Sequence, residues 1–297
     1  MVSVLELRPS QQGDGLLSDD VQQRLARWNH DRLAPRFPDE NCQNVIRKDA
    51  AMLELQARFL DVLRREIADK AKLAPPDPVR FISWFASLET HGAGQHDPLF
   101  SWLQDQADLD EMRWYLEQEA AGEAGFDDLT AFTQVKLPTR IKLELARNYW
   151  DEMGRGNAKG MHGPMLHRLV EELGLNPTIE GTVWESLALA NAMTAMATRR
   201  DYAWHALGAL GVIELTAPGR SGAVAAGLKR LGVAPKDRLY FDLHATLDVK
   251  HSAAWNAEAL APAIAADPRC ATAIAEGALI RLECGARCFQ RYRRELW

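Results

Sequence analysis

Two histidines and an aspartate lie close together near the end of the chain, at a spacing that suits metal binding. They are His244, Asp248 and His251. In an α-helix, positions i, i+4 and i+7 return to nearly the same face, so all three side chains can point at one spot. Imidazole nitrogens and a carboxylate oxygen suit iron, manganese or zinc, whereas calcium and magnesium favour an all-oxygen shell. The triplet therefore predicts part of a site for one of the first three metals.

Histidines on a helix surface are also common without any metal, so the neighbours of the triplet matter. Leu243, Leu247 and Val249 lie around it, and no run of lysine or glutamate solvates that side. Partly buried charged groups are costly unless they are paired or coordinate a metal. The apolar neighbours favour the metal site.

A second pair of candidates lies where a predicted helix ends. Glu152 is near the end of a helix predicted over residues 139–154, at the boundary between its apolar and polar sides, and Gly154 then ends that helix. His162 opens the next helix, just before Pro164. We predict Glu152 and His162 as ligands; the alternatives are a solvated acid, as for Asp151, and a capping histidine.

Glu214 is an acid within a nearly continuous apolar stretch that runs from His205 to Pro218. A charged, unpaired carboxylate in such surroundings is unfavourable, so the side chain needs a cation or a proton. The alternative is that it caps the helix that follows, near Arg220. Its setting favours a buried metal site.

An earlier helix offers two more acids on one face. Glu119 and Glu123 share that face with Tyr115 and Phe126, among small residues that permit close helix packing. We predict that one of the two acids reaches the metal centre.

Helices must position all these residues, and helical patterning dominates the sequence. Segments rich in Ala, Leu, Glu and Arg alternate with Gly and Pro, and alternating β-branched strands are hard to find. An all-α helical bundle follows. Residues 1–92 are predicted to be a helical extension that packs on the bundle or on a second subunit, and residues 93–297 the metal-binding bundle. Helices are predicted at 18–32, 46–72, 78–90, 107–134, 139–154, 163–173, 181–209, 220–231, 237–264 and 267–294.

Composition limits the function classes. A chain of 297 residues with 47% hydrophobic residues can bury a sizeable core, and a net charge of −6 argues against a nucleic-acid partner. The sequence has no apolar segment long enough for a membrane span and no export signal. Its four cysteines are too scattered for a disulfide scaffold, which fits a reducing cytoplasm. We expect a cytoplasmic protein that acts on a small molecule.

The candidate ligands comprise three histidines and up to four carboxylates on four predicted helices, which is an inventory for two metal ions. No histidine has a glutamate three residues before it, so the paired Glu-x-x-His arrangement of ferritin-like bundles is disfavoured. The order of the candidates instead resembles that of the heme-oxygenase-like diiron oxidases and oxygenases, which are also called iron-containing redox enzymes. The residues that carry this resemblance are Glu119, Glu152-x9-His162, Glu214 and His244-x3-Asp248-x2-His251.

The resemblance covers roughly residues 95 to 295 and leaves the first 90 outside it. It implies a heme-oxygenase-like bundle of about seven core helices. It further implies that His244 and His251 bind different irons and that Asp248 binds one of them. In addition, Glu119 is favoured over Glu123 by its position before Phe126, and would close the second site. The remaining ligands, which would complete or bridge the pair, are Glu152, His162 and Glu214.

By the same resemblance, the protein would be a non-heme diiron enzyme that uses two Fe(II)/Fe(III) ions and O2 to oxidise a small organic substrate. N-oxygenation, oxidative C–C cleavage and desaturation are the implied reactions, with a possible external electron donor and homodimer as partners. Two alternatives are a metal-free bundle that binds a small ligand and a hydrolase with a single zinc ion. Arginines and tyrosines that could bind a substrate carboxylate are Arg147, Tyr149, Arg199, Arg200, Tyr202 and Arg220.

Overall fold

A computed structural model describes residues 15–38, 42–122 and 125–297, and within these ranges it contains helices and no β-strand. The prediction of an all-α protein is confirmed. The helices that carry the argument below are α1 (Asp19–Leu33), α2 (Cys42–Ala71), α3 (Pro78–His91), α4 (Pro98–Asp105), α5 (Leu109–Gly122), α6 (Phe126–Thr133), α7 (Thr139–Glu152), α8 (His162–Glu172), α9 (Trp184–Thr198), α10 (Ala203–Arg230), α11 (Leu239–Trp255), α12 (Ala261–Ala266) and α13 (Arg269–Leu296). A π-helical turn, Asn256–Leu260, joins α11 to α12.

Several predicted helix boundaries differ from the structure. The helix predicted over 107–134 is two helices, α5 and α6, and Gly125 between them has a φ of 73°, which a helix does not allow. A break was expected near Pro218, yet α10 runs through it, while the chain leaves the helical conformation at Arg199 instead. Pro218 costs α10 one backbone hydrogen bond, the one to the carbonyl of Glu214, and packing on both sides outweighs that loss. Helix α4 was not predicted.

Helix α10 is the centre of the bundle, and it crosses α13 at backbone contact. A Cβ atom added to Gly208 of α10 would lie 1.9 Å from the carbonyl oxygen of Ile274. One added to Gly277 of α13 would lie 1.8 Å from the carbonyl oxygen of His205. Both positions therefore require glycine, and the crossing fixes where Glu214, two turns further along α10, lies in the core.

The described part of the predicted extension shares its core with the bundle. Leu25, Phe59 and Phe85 of α1 to α3 are fully buried in the same hydrophobic cluster as Leu207 and Trp255. A second cluster joins α4, α5 and the end of α8 to α10 and α13. Among the described residues, no helix combines the length and the apolarity that crossing a bilayer requires.

Candidate metal centre

Six of the predicted ligands come together as two groups of three on four helices. Glu152 ends α7, His162 begins α8, Glu214 lies in α10, and α11 carries the remaining three. In each group, one possible ligand atom from every residue lies within 4.8 Å of the others. We call them the Glu152 triad (Glu152, His162, His244) and the Glu214 triad (Glu214, Asp248, His251).

A tight loop sets the first two residues of the Glu152 triad side by side. Met153 and Met161 form an antiparallel backbone bridge that closes the loop between α7 and α8. Gly154 has a φ of 60°, and a Cβ there would lie 2.3 Å from the carbonyl carbon of Gly160. The loop therefore requires glycine, and its closure holds the end of α7 against the start of α8.

Within the Glu152 triad the ring nitrogens point at one spot. Nδ1 of His162 lies 2.7 Å from Oε2 of Glu152 and 3.1 Å from Nε2 of His244. Nδ1 of His244 is 2.7 Å from the backbone carbonyl oxygen of Tyr240, one turn earlier in α11, so it must carry the proton and donate it. The lone pair of Nε2 is then left to face Glu152 and His162, as a metal ligand would.

The Glu214 triad is held by two side chains of α7. Asn148 donates from Nδ2 to Oε1 of Glu214 at 2.6 Å. Nε2 of His251 donates to Oδ2 of Asp151 at 3.1 Å, which leaves Nδ1 of His251 as the atom that faces the triad. That Nδ1 lies 3.4 Å from Oε2 of Glu214 and is buried without a hydrogen-bond partner. A buried polar atom without a partner is unusual, and this one fits a position for a metal ligand.

The charges of the two triads act on each other. Burial, together with the nearby charges of Glu214 and Glu152, raises the pKa of Asp248 to about 9. Burial also raises the pKa of Glu214. Burial and the neighbouring His162 lower the pKa of His244. Since Glu152 acts on both Asp248 and Glu214, the two triads form one electrostatic unit.

His251 differs from the other imidazole of α11 because it is surrounded by acids. Burial alone would lower its pKa, but the nearby carboxylates of Glu214, Asp151 and Asp248 raise it to about 9. Among the described residues, no lysine or arginine lies within ion-pair distance of Glu152, Glu214 or Asp248, so the acids of the triads lack a permanent cation.

This donor set fits two divalent cations such as iron or manganese. Three carboxylates and three imidazoles give a mixed oxygen and nitrogen shell, which zinc-binding thiolate sites and all-oxygen calcium sites do not have. Two such ions would neutralise the buried acids and give Nδ1 of His251 a partner.

A cavity of about 160 Å³ lies against both triads. Four of the six triad residues line it: Glu152, Glu214, His244 and Asp248. Its remaining wall is mostly apolar, with a few polar side chains away from the triads. The residues that form this remaining wall are Tyr115, Leu116, Glu119, Ala120, Phe126, Leu129, Leu166, Leu189, Met193, Ile213, Ala217, Arg220, Ser221, Val224, Tyr240, Phe241, Arg281 and Phe289.

The two acids predicted from the early helix have different outcomes. Glu119 lines the cavity but belongs to neither triad, and it accepts a hydrogen bond from the hydroxyl of Tyr292 at 2.9 Å. To bind a metal, it would have to give up that hydrogen bond, so its ligand role stays a prediction. Glu123, the alternative, lies outside the described residues.

Of the six residues predicted to bind a substrate carboxylate, Arg220 lines the cavity. The other five are absent from its described wall. Arg147 pairs with Glu144, and Arg199 pairs with Asp201. Arg200 donates to backbone carbonyls at the end of α6 and just after it, those of Phe132, Thr133 and Val135.

Sequence reasoning missed three residues of this site. Asp151 was interpreted as a solvated acid, but it orients His251; its position next to Glu152 was the available signal. Asn148 precedes Glu152 by one helical turn and so shares its face, which is also visible in the sequence. Arg281 lies on α13, far along the chain from the triads, and no local pattern distinguishes it.

Comparison with known proteins gives a family and a fold. A family model described as "Iron-containing redox enzyme" matches residues 113–286, a range that includes all six triad residues. No curated protein sequence matches the chain.

Among solved structures, the chain is similar to a CADD-like protein of unknown function from Nostoc punctiforme, in two crystal structures. In the first, at 1.35 Å resolution, the identity is 17%, the TM-score is 0.51, and the match covers 81% of this chain and 95% of that one. In the second, at 2.00 Å resolution, the identity is 18%, the TM-score is 0.52, and the coverage is 81% and 97%. At this level of identity the likeness shows a shared helical fold.

Proposed function

The chain belongs to the family of iron-containing redox enzymes, and on that premise we propose that it is a non-heme diiron oxidase or oxygenase that uses O2 on a small organic molecule. The resemblance predicted from the sequence is confirmed at the level of the family and the all-α heme-oxygenase-like fold. The observation that carries the proposal is the pair of buried triads that share one electrostatic unit and border one cavity.

The three ligands of α11 are divided between the two triads, which supports two metal ions rather than one. His244 joins the Glu152 triad, while Asp248 and His251 join the Glu214 triad. Each triad offers three donors, of which one or two are carboxylates and the rest imidazoles. Three protein donors leave open positions on a metal ion. When bound, two iron(II) ions would supply the electrons with which O2 is reduced while the molecule in the cavity is oxidised.

The protein's own part is to orient the donors and to limit water. The backbone carbonyl of Tyr240 accepts a hydrogen bond from His244, and the carboxylate of Asp151 accepts one from His251. In each ring the other nitrogen then faces its triad. The apolar side chains Leu129, Met193 and Ile213 lie in the cavity wall. Apolar side chains beside the triads strengthen electrostatic interactions there and limit the access of bulk water to an oxidising centre.

N-oxygenation, oxidative C–C cleavage and desaturation all remain within this proposal, with an external electron donor where the reaction needs one. The cavity volume of about 160 Å³ favours a small substrate, since an interior cavity of roughly 150 Å³ accommodates a benzene-sized molecule.

Anaerobic titration with Fe(II), followed by measurement of O2 uptake, tests the proposal. We expect about two irons per chain, as helix-bundle dinuclear sites bind, and O2 consumption that depends on the bound iron. One iron per chain would contradict a diiron centre. Tight zinc binding without O2 uptake would favour the hydrolase, and absence of any metal binding would favour the metal-free binder.

A further inference from the structure

The cavity has a second charged group of residues away from the triads, and it is cationic. Arg220 of α10 and Arg281 of α13 both line the cavity, as does Glu119 of α5. Burial raises the pKa of Glu119, and the charges of Arg281 and Arg220 oppose that rise. Two guanidinium groups therefore face at most one carboxylate charge, which leaves at least one positive charge in excess. Both arginines are partly buried, so this excess charge is only partly solvated.

Neither arginine is neutralised by an ion pair. Among the residues that the structure describes, no carboxylate lies within ion-pair distance of Arg220 or Arg281. Glu119 acts on both arginines by its charge alone, and its Oε1 accepts a hydrogen bond from Tyr292. The effect of Arg281 on Arg220 is repulsive: burial and the charge of Arg281 lower the pKa of Arg220 to about 10, which leaves Arg220 protonated at neutral pH. Two like charges at one cavity wall are stabilised by an anion bound beside them.

Arg220 is held in place by two neutral groups. Its Nη2 donates to Oγ1 of Thr216 at 3.1 Å, and Thr216 itself donates to the carbonyl oxygen of Val212 at 2.7 Å. Its guanidinium carbon lies 5.6 Å from the ring centroid of Phe289. A hydroxyl and an aromatic ring orient the guanidinium but carry no negative charge, so its remaining N–H groups can bind an anion from the cavity.

We propose that the cavity binds a small organic carboxylate, with the carboxylate group at Arg220 and Arg281 and the rest of the molecule directed towards the two triads. A planar guanidinium fork matches a carboxylate, and the apolar side chains that line the same cavity match a hydrocarbon or ring. The excess positive charge of this group matches a negatively charged carboxylate. This inference rests on the proposed function, since it takes the space beside the triads to be the substrate site.

Binding of matched ligands to the iron-loaded protein under argon tests the inference. Benzoate and hexanoate are the probes, and their neutral analogues benzamide and hexanamide have nearly the same shape. We expect calorimetric binding of at least one carboxylate, at least tenfold tighter than its amide. We expect Arg220→Gln and Arg281→Gln each to weaken that binding at least tenfold. Arg58→Gln, at an exposed position of α2, is the control and should bind as the wild type does.

Iron content, measured in every sample, separates this inference from the proposed function. Both arginine variants should keep the wild-type iron content, because neither arginine belongs to a triad. Carboxylates that bind no better than amides would overturn the inference. So would carboxylates that bind both arginine variants with wild-type affinity, because they would then bind elsewhere, for example on the iron. A protein that takes up no iron but still binds carboxylates through Arg220 and Arg281 would refute the oxidase and retain the anion site. Should Arg220→Gln fail to fold by circular dichroism, Arg281→Gln and the comparison of acid with amide decide the matter.

Discussion

The two histidines of α11 turn different ring nitrogens towards their triads, and single neighbouring residues cause the difference. His244 donates from Nδ1 to the carbonyl of Tyr240, and His251 donates from Nε2 to Asp151. Because Asp151 also pairs with Arg155, hydrogen bonds from Arg155 and His251 lower its pKa despite burial. Asp151 is therefore ionised at neutral pH and is a strong acceptor for His251.

Replacing Asp151 should weaken iron binding at one triad without removing a proposed ligand. In Asp151→Ala, Nε2 of His251 loses its acceptor, so the ring can change its orientation or tautomer; we expect a roughly 10–100-fold loss of affinity for the iron of the Glu214 triad. Asp151→Asn retains an oxygen acceptor and should lose less. Anaerobic Fe(II) titration measures both, and an unchanged affinity in Asp151→Ala would show that Asp151 does not position His251.

The two histidines should also be separable by substitution. We expect His244→Ala and His251→Ala each to bind about one iron per chain in place of two, because each variant disrupts a different triad. The helix should persist, since alanine favours helix formation. His167→Ala is the matched control, as His167 is exposed on α8 and pairs with Glu171. Retention of two irons in both histidine variants would exclude these residues as ligands.

At the scale of elements, the loop between α7 and α8 decides whether the Glu152 triad can form. We expect Gly154→Ala to reduce the free energy of unfolding by about 1–3 kcal/mol, since a side chain at positive φ is strained and Gly160 leaves no room for it. Iron affinity of the Glu152 triad should fall too, because the end of α7 moves relative to His162. Gly163→Ala is the control: its Cβ would meet nothing within 4 Å. Chemical denaturation and Fe(II) titration measure the two effects, and a Gly154→Ala protein as stable as Gly163→Ala would contradict the expectation.

Helix patterning and ligand spacing could be predicted from the sequence where the information is local. The face shared by His244, Asp248 and His251 follows from helical periodicity, and the buried acid Glu214 follows from its apolar neighbours. What could not be predicted depends on contacts between distant segments. Pro218 signals a break, but α10 continues because packing against α11 and α13 compensates. Likewise, Arg220 and Arg281 line the same cavity only because of how α10 and α13 cross.

At the scale of the whole molecule, the buried charges of the triads destabilise the metal-free fold, and a bound metal would relieve that destabilisation. Without a cation, three buried carboxylates repel one another, and two groups retain protons that they would lose in water. Asp248 and His251 each have a pKa raised to about 9, from ordinary values of 3.8 and 6.5. The folded metal-free protein therefore binds more protons than the unfolded chain over the pH range between these values.

This difference in proton binding predicts how stability depends on pH. Because the folded state holds the extra protons, the stability of the metal-free protein should fall as pH rises towards 9, whereas a bound metal replaces those protons and should make the loss smaller. We expect the thermal midpoint of the metal-free protein to drop by at least ~2 °C between about pH 6 and pH 8.5. With Mn(II) bound anaerobically as a redox-inert substitute, the drop should be smaller, so stabilisation by the metal grows with pH. Asp248→Asn removes one of the titrating groups and should flatten the metal-free profile. A metal-free midpoint that rises with pH, or that parallels the metal-bound one, would show that these two groups do not hold protons in the folded protein.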